Sequence, residues 1–292
     1  MRAVLLAHPA GHSLSPVLHD AAFAACGMDA RYEAWDVPPE RLADAVARLR
    51  SDGAVLGANV SVPHKRAVID LLDELRPAAA AIGAVNVLVR DGTLWIGDNS
   101  DAEGFLRSVR EAGAPVPGGA ALLIGAGGAA RAVGFALLEE GAASLQIVNR
   151  TAEAAERLAH DLASRFPDAE VAAVPAPGLR SAADGADLIV NATSVGMARH
   201  GVDPDASPLP AEVLDGLGTV RERWAVDLVY RPRRTRYLRD AAAAGFATVD
   251  GLGMLLHQGA VAFEAWTGRP APLEAMRAAL TSALPDPSDA RP

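Results

Sequence analysis

Between the apolar run at residues 120–124 and a helical pattern reaching about Glu140 lies Gly125-Ala126-Gly127-Gly128-Ala129-Ala130, a G-x-G-x-x-A turn in its required setting. Few sequence features leave a backbone so little choice. The first glycine permits a tight strand-to-helix turn, the second lets a pyrophosphate approach the main chain, and the small third position packs helix on strand. Exposed amides at the helix start then hold the diphosphate. With the strand at 145–149, the segment makes one βαβ unit and predicts a Rossmann-type domain contacting a dinucleotide through Gly125, Ala126, Gly127, Gly128 and Ala129.

The end of the second strand bears on which dinucleotide is taken. A chain selecting NAD places Asp or Glu there to accept from the ribose 2′-hydroxyl. Here the strand ends Val148-Asn149-Arg150-Thr151. An acid would repel a 2′-phosphate, whereas the Arg150 guanidinium can pair with one. NADP is therefore expected over NAD. The plainer reading makes Arg150 a surface residue and Thr151 the cap of a helix to Ser164.

Apolar runs alternate with helical patterns along the 292 residues, and no internal repeat is found. This is an α/β signature. Half of the chain is hydrophobic but only 4% of it is aromatic, a composition of tightly packed helices and sheets rather than of disorder. Strands are expected at 4–7 and 54–60, with helices opening at Pro16 and Pro63, the latter carrying Val68, Ile69, Leu72 and Leu75 on one side. Asp91-Gly92 reads as a two-residue hairpin turn pairing Arg90 with Thr93 and Asn86 with Gly97. Ser100 and Glu103 then open a helix to about Ala112, with Gly113 as its stop.

Pro115, Pro117, Gly118 and Gly119 mark a composition break, which sets a first domain at 1–113 and a Rossmann domain at 114–250. Further strands are expected at 170–174, 188–192 and 224–229 and just after Gly245, then a helix over 253–266. The Pro- and Asp-rich stretch 285–292 reads as a frayed tail.

Lys and Arg number 27 against 36 Asp and Glu, a net charge of -9 that repels nucleic acid and acidic membranes. The run Arg231, Arg233, Arg234, Arg236 and Arg239 reads as a solvated helix face. A single cysteine, Cys26, forms no internal disulfide and suits a reducing compartment. Residues 3–7 are too short for a signal-peptide core, and no apolar stretch approaches the ~20 residues of a bilayer span. A cytoplasmic protein without a membrane partner is expected. His8, His12 and His19 straddle a loop without an acid cluster, so no metal is expected.

In the first domain, Lys65 falls at the third position of the expected helix from Pro63, where the dipole disfavours a cation by ~0.3–1 kcal/mol. It is either an ordinary surface lysine or a group that polarises a carbonyl and protonates an alkoxide. Asp101 is stabilising in a first helical turn on its own account. The hairpin nevertheless brings Asn86 to its neighbourhood, and a carboxylate beside Lys65 would hold the ammonium and exchange a proton with a hydroxyl. Ser13 and Ser15, just before Pro16, can cap a helix or hold a carboxylate.

With these residues assembled, the chain resembles the shikimate dehydrogenase family over nearly its whole length. The resemblance rests on an ordered set: His12-Ser13-Leu14-Ser15-Pro16, Asn59-Val60-Ser61-Val62-Pro63-His64-Lys65, Gly83-Ala84-Val85-Asn86, Gly97-Asp98-Asn99-Ser100-Asp101, the glycine turn and Asn149-Arg150-Thr151. It continues with Asn191-Ala192-Thr193-Ser194-Val195-Gly196-Met197, Asp227-Leu228-Val229-Tyr230-Arg231-Pro232 and Gly251-Leu252-Gly253-Met254-Leu255-Leu256-His257-Gln258.

The resemblance implies an amino-terminal substrate domain, a doubly wound NADP domain, and helices at 251–284 returning to the first. It implies NADPH-dependent reduction of 3-dehydroshikimate to shikimate in aromatic amino-acid biosynthesis. Lys65 and Asp101 would be the catalytic pair. Ser13 and Ser15 would bind the substrate carboxylate, and Ser61, Asn86, Tyr230 and Gln258 its hydroxyls or ring. Asn149, Arg150 and Thr151 would meet the adenosine phosphate; Thr193, Val195, Gly251 and Met254 would surround the nicotinamide. Asn59 would support its loop.

Ser61 and Val87 stand where the family commonly has Thr, Ser100 replaces another Thr, and Ala154 occupies a position often Lys or Arg. The last departure removes a phosphate contact, with Arg157 one turn on placed to compensate, and points to a weaker NADP preference. A quinate/shikimate dehydrogenase or related paralogue is the alternative within enzymes. An inactive dinucleotide-binding regulator is the alternative outside them, against which the presence of both Lys65 and Asp101 counts. A monomer or homodimer is expected.

Overall fold

The computed structural model describes residues 1–116, 118–198, 203–218 and 221–284. It divides into two compact units, Met1–Gly104 with the chain from Leu255 on, and Phe105–Met254.

The first unit is built on a mixed sheet. Strand β1 (Arg2–Ala7) is buried at every position but its first, as a strand covered on both faces must be. Helix α1 (Ser15–Ala25) gives way at Gly27, whose φ of 61° allows the left-handed exit. Strand β2 (Arg31–Asp36), helix α2 (Leu42–Ser51) and strand β3 (Val55–Val60) complete two crossovers, so that β2 and β3 flank β1 in parallel. Short β4 (Glu74–Leu75) and α3 (Pro77–Ile82) lead to the hairpin β5 (Val87–Asp91) and β6 (Leu94–Asp98), and β5 runs antiparallel to β3. The sheet order is β2-β1-β3-β5-β6-β4. Leu6, Leu49, Val68, Leu88 and Trp95 lie in its core.

Helix α4 (Asp101–Ala112) starts in the first unit and ends in the second, stopping at Gly113 with φ 83°. The second unit then alternates strictly: β7 (Ala120–Ile124), α5 (Gly128–Glu139), β8 (Ser144–Val148), α6 (Ala152–Arg165), β9 (Glu170–Ala173), α7 (Leu179–Gly185) and β10 (Leu188–Asn191). A four-residue α8 (Ala211–Leu214), β11 (Trp224–Asp227), α9 (Arg236–Ala243) and β12 (Ala247–Val249) follow. All six strands are parallel, in the order β12-β11-β10-β7-β8-β9. This is the doubly wound dinucleotide-binding order, whose switch point lies between β7 and β10. Leu122, Ile189, Ala225 and Tyr237 are buried in one of its core clusters.

Helix α10 (Gly251–Thr267) and α11 (Leu273–Ala283) close the chain. From Leu255 on they belong to the first unit, and two glycines explain the fit. A Cβ on Gly57 of β3 would lie 2.2 Å from Trp266, whose Nε1 donates to the Leu88 carbonyl at 3.0 Å. A Cβ on Gly259 would lie 2.2 Å from Leu18 of α1.

Three expectations are corrected. The stretch after Pro63 is a series of turns with a 3₁₀ segment at Ile69–Leu71, not an α-helix. The Lys65 carbonyl, which a helix would commit to Ile69, accepts instead from the Val85 amide at 2.7 Å. Residues 74–75 join the sheet edge beside β6. Tertiary pairing overrides the local apolar pattern, and the dipole argument for Lys65 lapses with the helix.

The hairpin register is also shifted: Asp91 pairs with Leu94 and Val87 with Asp98, leaving Gly92-Thr93 as the loop. A primed turn needs positive φ at its first central residue, and Gly92 at 59° supplies what Asp91 would adopt only under strain. Asn86 accordingly lies one step beyond the ladder, donating its amide to the Asp98 carbonyl at 3.1 Å rather than pairing with Gly97.

Finally, the two units divide within α4 and not at the Pro- and Gly-rich break, because one continuous helix carries the chain from one core to the other. Pro117 and the tail 285–292 lie outside the described residues.

Candidate active site

The end of β3, the segment at 84–86 and the start of α4 converge in the first unit. Lys65 Nζ donates to Asp101 Oδ2 at 2.5 Å, with the side chains only 13% and 6% exposed. Asn86 Nδ2 donates to the other oxygen, Asp101 Oδ1, at 2.8 Å and to Ser100 Oγ at 3.0 Å. Its own Oδ1 accepts from the Ser100 amide at 2.7 Å. Asn99 accepts from the Asp101 amide at 3.0 Å and donates to the Ala84 carbonyl at 2.8 Å. Both carboxylate oxygens are thus fixed, and the ammonium retains N–H bonds for a third party.

Behind this pair sits a second buried layer. Asn59 Nδ2 donates to the Asn86 carbonyl at 3.1 Å, and its Oδ1 accepts from the Tyr32 hydroxyl at 2.7 Å. His19 stacks on Tyr32 with ring centroids 4.6 Å apart, and burial pushes its pKa down to about 3, so the ring is neutral. Asn59 therefore supports the loop.

Ser13 Oγ donates to Ser15 Oγ at 3.1 Å and accepts from the Ser15 amide at 3.2 Å. Leu14, not a serine, occupies the cap position of α1, and no side chain caps that end. Ser61 is half-buried where β3 ends, its amide donating to the Leu6 carbonyl at 2.9 Å. Gln258 packs against Gly104 in the first turns of α4: a Cβ on that glycine would lie 2.7 Å from the Gln258 Cβ. Tyr230 belongs to the second unit, half-buried after β11.

In the second unit, Gly125 leaves β7 with φ 117°, and a Cβ there would lie 3.1 Å from Thr193 Cγ2. The turns after β7 and β10 therefore meet at the switch point, the usual ligand position in such sheets. Gly127 precedes α5 and faces open space where a Cβ would stand. That helix has neither a side-chain cap nor an acid in its first turn, so its amides suit an anion. Ala126, Gly128 and Ala129 are half-buried around it.

Arg150 is exposed beyond β8, and Asn149 Nδ2 donates to the Thr151 carbonyl at 3.0 Å. Thr151 precedes α6, yet its side chain makes no cap bond. The residues fit a 2′-phosphorylated dinucleotide: a glycine cradle, a free helix start and an exposed guanidinium at the end of the second strand. Gly251 has no room for a side chain, since a Cβ would lie 2.3 Å from the Leu228 carbonyl oxygen, and Met254 is buried. The basic run beyond β11 is not one helix face as expected, since only Arg236 and Arg239 lie on α9 and Arg231, Arg233 and Arg234 precede it; Arg233 pairs with Asp250, Arg236 with Asp240 and Arg239 with Asp205 at 2.8–2.9 Å.

Sequence reasoning assigned no role to Tyr32, Asn99, Asn191 or Asp227. The last three stood in motifs already quoted; nothing local marked Tyr32.

Family models match in three blocks. Residues 5–88 match the shikimate dehydrogenase substrate binding domain, 111–199 the shikimate/quinate 5-dehydrogenase family, and 251–281 the shikimate 5′-dehydrogenase C-terminal domain. The chain is 47% identical over 283 residues to the shikimate dehydrogenase (NADP(+)) of Symbiobacterium thermophilum, covering 96% of this chain and 93% of that one. It is similar in structure to Thermus thermophilus shikimate 5-dehydrogenase in complex with NADP(H) and shikimate: TM-score 0.85, 43% identity, 97% and 100% coverage. It is also similar to the quinate dehydrogenase of Corynebacterium glutamicum in complex with NAD: TM-score 0.82, 30% identity, 97% and 99% coverage.

Proposed function

The chain belongs to the shikimate dehydrogenase family, and from that premise we propose that it catalyses the reversible NADPH-dependent reduction of 3-dehydroshikimate to shikimate. The observation that carries this reading is the Lys65–Asp101 pair at 2.5 Å, nearly enclosed and braced by Asn86. The reaction adds a hydride to the carbonyl carbon of the ring and a proton to its oxygen. Bound NADPH supplies the hydride.

Lys65 donates a hydrogen bond to the carbonyl oxygen, favours the charge that develops there and delivers the proton. Asp101 holds the ammonium in place and takes part in proton exchange with the substrate hydroxyl in the reverse direction. Ser13 and Ser15 bind the ring carboxylate, and Ser61, Asn86, Tyr230 and Gln258 take the hydroxyls or ring. The turn at 125–129 holds the pyrophosphate, Asn149, Arg150 and Thr151 the adenosine phosphate, and Thr193, Val195, Gly251 and Met254 the nicotinamide. The bracing of Lys65 and Asp101 argues against a regulator that has lost turnover.

This reading places the protein in the cytoplasm as a monomer or homodimer, without nucleic-acid or membrane partners. No helix among the described residues is long and apolar enough to cross a membrane, and Cys26 is a free thiol.

The test is to mix purified protein with NADP+ and shikimate, then with NAD+ and quinate, and follow absorbance of the reduced cofactor. The first mixture should turn over well and the second poorly. Preference for the second would make it a quinate-linked paralogue, and failure of both would favour the regulator.

A further inference from the structure

Asp227 ends β11 and is fully buried. Its Oδ1 accepts from Asn191 Nδ2 at 2.9 Å and from the Val229 amide at 3.0 Å, and its Oδ2 accepts from Thr235 Oγ1 at 2.7 Å. Burying a carboxylate is costly unless donors surround it. Here they come from the end of β10, from the chain just beyond β11 and from the residue before α9. A neutral amide of the same shape cannot accept from all three, because one of its two positions is itself a donor.

The links through Asn191 and Val229 continue towards the cofactor side, while Thr235 caps α9. Asn191, oriented by the carboxylate, uses its Oδ1 to accept from the Thr193 amide at 3.0 Å and hydroxyl at 2.7 Å. Thr193 Oγ1 then accepts from the Val195 amide at 3.1 Å. On the other side, the Val229 carbonyl accepts from the Gly251 amide at 3.3 Å, and Gly251 lies against the Leu228 carbonyl with no room for a side chain. Thr193, Val195 and Gly251 therefore all depend on one buried group.

We propose that Asp227 is a positioning residue for the nicotinamide half of the cofactor, acting through Asn191 on the turn at 193–195 and through Val229 on Gly251. The inference rests on the NADP reading above. It separates Asp227 from the adenosine half, which the turn at 125–129 and residues 149–151 would hold on the far side of the switch point.

The experiment compares calorimetric titrations of wild type and Asp227→Asn with NADP+ and with 2′,5′-ADP, which lacks the nicotinamide. It is run at pH 8, above the value of about 7 to which burial raises the Asp227 carboxyl. Asp227→Asn should weaken NADP+ at least tenfold and leave 2′,5′-ADP within twofold. Equal weakening of both ligands, or unchanged NADP+ binding, overturns the proposal. Should Asp227→Asn lack a cooperative thermal transition, Asn191→Ala decides by the same criterion, since it cuts the link to Thr193 and leaves the carboxylate in place. Failure of 2′,5′-ADP to bind wild type would instead defeat the NADP reading itself, and the proposal with it.

Discussion

Lys65 and Asp101, 36 residues apart in the chain, meet at 2.5 Å with both carboxylate oxygens occupied, one by the ammonium and one by Asn86. Such a pair acts as one unit, and loss of either member strands the other in a nearly enclosed position. Asp101→Asn should lower kcat about 100-fold, within the range of a lost acid–base group. In the double variant with Lys65→Ala the losses should be far from additive. Multiplicative losses in steady-state kinetics would mean that the two act independently.

Ser13→Ala removes a hydroxyl from the pair that faces the substrate carboxylate in this account. A contact made equally in ground and transition states changes binding more than turnover. The Michaelis constant for shikimate should rise about tenfold with kcat within a few-fold. A fall in kcat at constant KM would place Ser13 elsewhere in the mechanism.

Arg150→Ala should cost the bonds to a 2′-phosphate, worth about 1.5–3 kcal/mol for a charged partner. KM for NADP+ should rise roughly tenfold or more, while the weaker use of NAD+ is unchanged. Equal changes for both cofactors would assign the phosphate contact to another residue, with exposed Arg157 the first to test.

His19 shapes stability at acid pH. Burial lowers its pKa from 6.5 to about 3, so between those values the unfolded chain binds a proton that the folded chain refuses. That contribution to stability is present above pH 6.5 and is lost as the pH falls, by up to about 1.4 kcal/mol per unit. Asp227, with its pKa raised from 3.8 to about 7, slopes the opposite way over much of that window, so wild type alone does not isolate either group. His19→Phe keeps a ring against Tyr32 and removes the titration. Relative to wild type it should gain stability between pH 7.5 and pH 5 in denaturant unfolding; an unchanged difference would show that His19 takes up its proton alike in the folded and unfolded chains, and so is not shifted by burial.

The glycine turn and the βαβ unit around it were legible because they depend on a short run of the chain: Gly125 and Gly127 have local reasons to be glycine. Lys65 and Asp101 were legible as residue types, but their contact was not, since it depends on a hairpin whose register is set by φ at Gly92. The helix expected after Pro63 failed because Val85, twenty residues on, takes the Lys65 carbonyl. Tyr32 carries no local signal at all. Its hydroxyl meets Asn59 only after two crossovers bring β2 and β3 to either side of β1.

The most direct test of Lys65 as the proton donor is the steady-state rate of NADP+-linked shikimate oxidation by Lys65→Ala, followed by NADPH absorbance. Turnover should fall by about 10²–10⁴, with the shikimate KM within a few-fold of wild type. Near-normal turnover, or a loss confined to KM, would contradict the account.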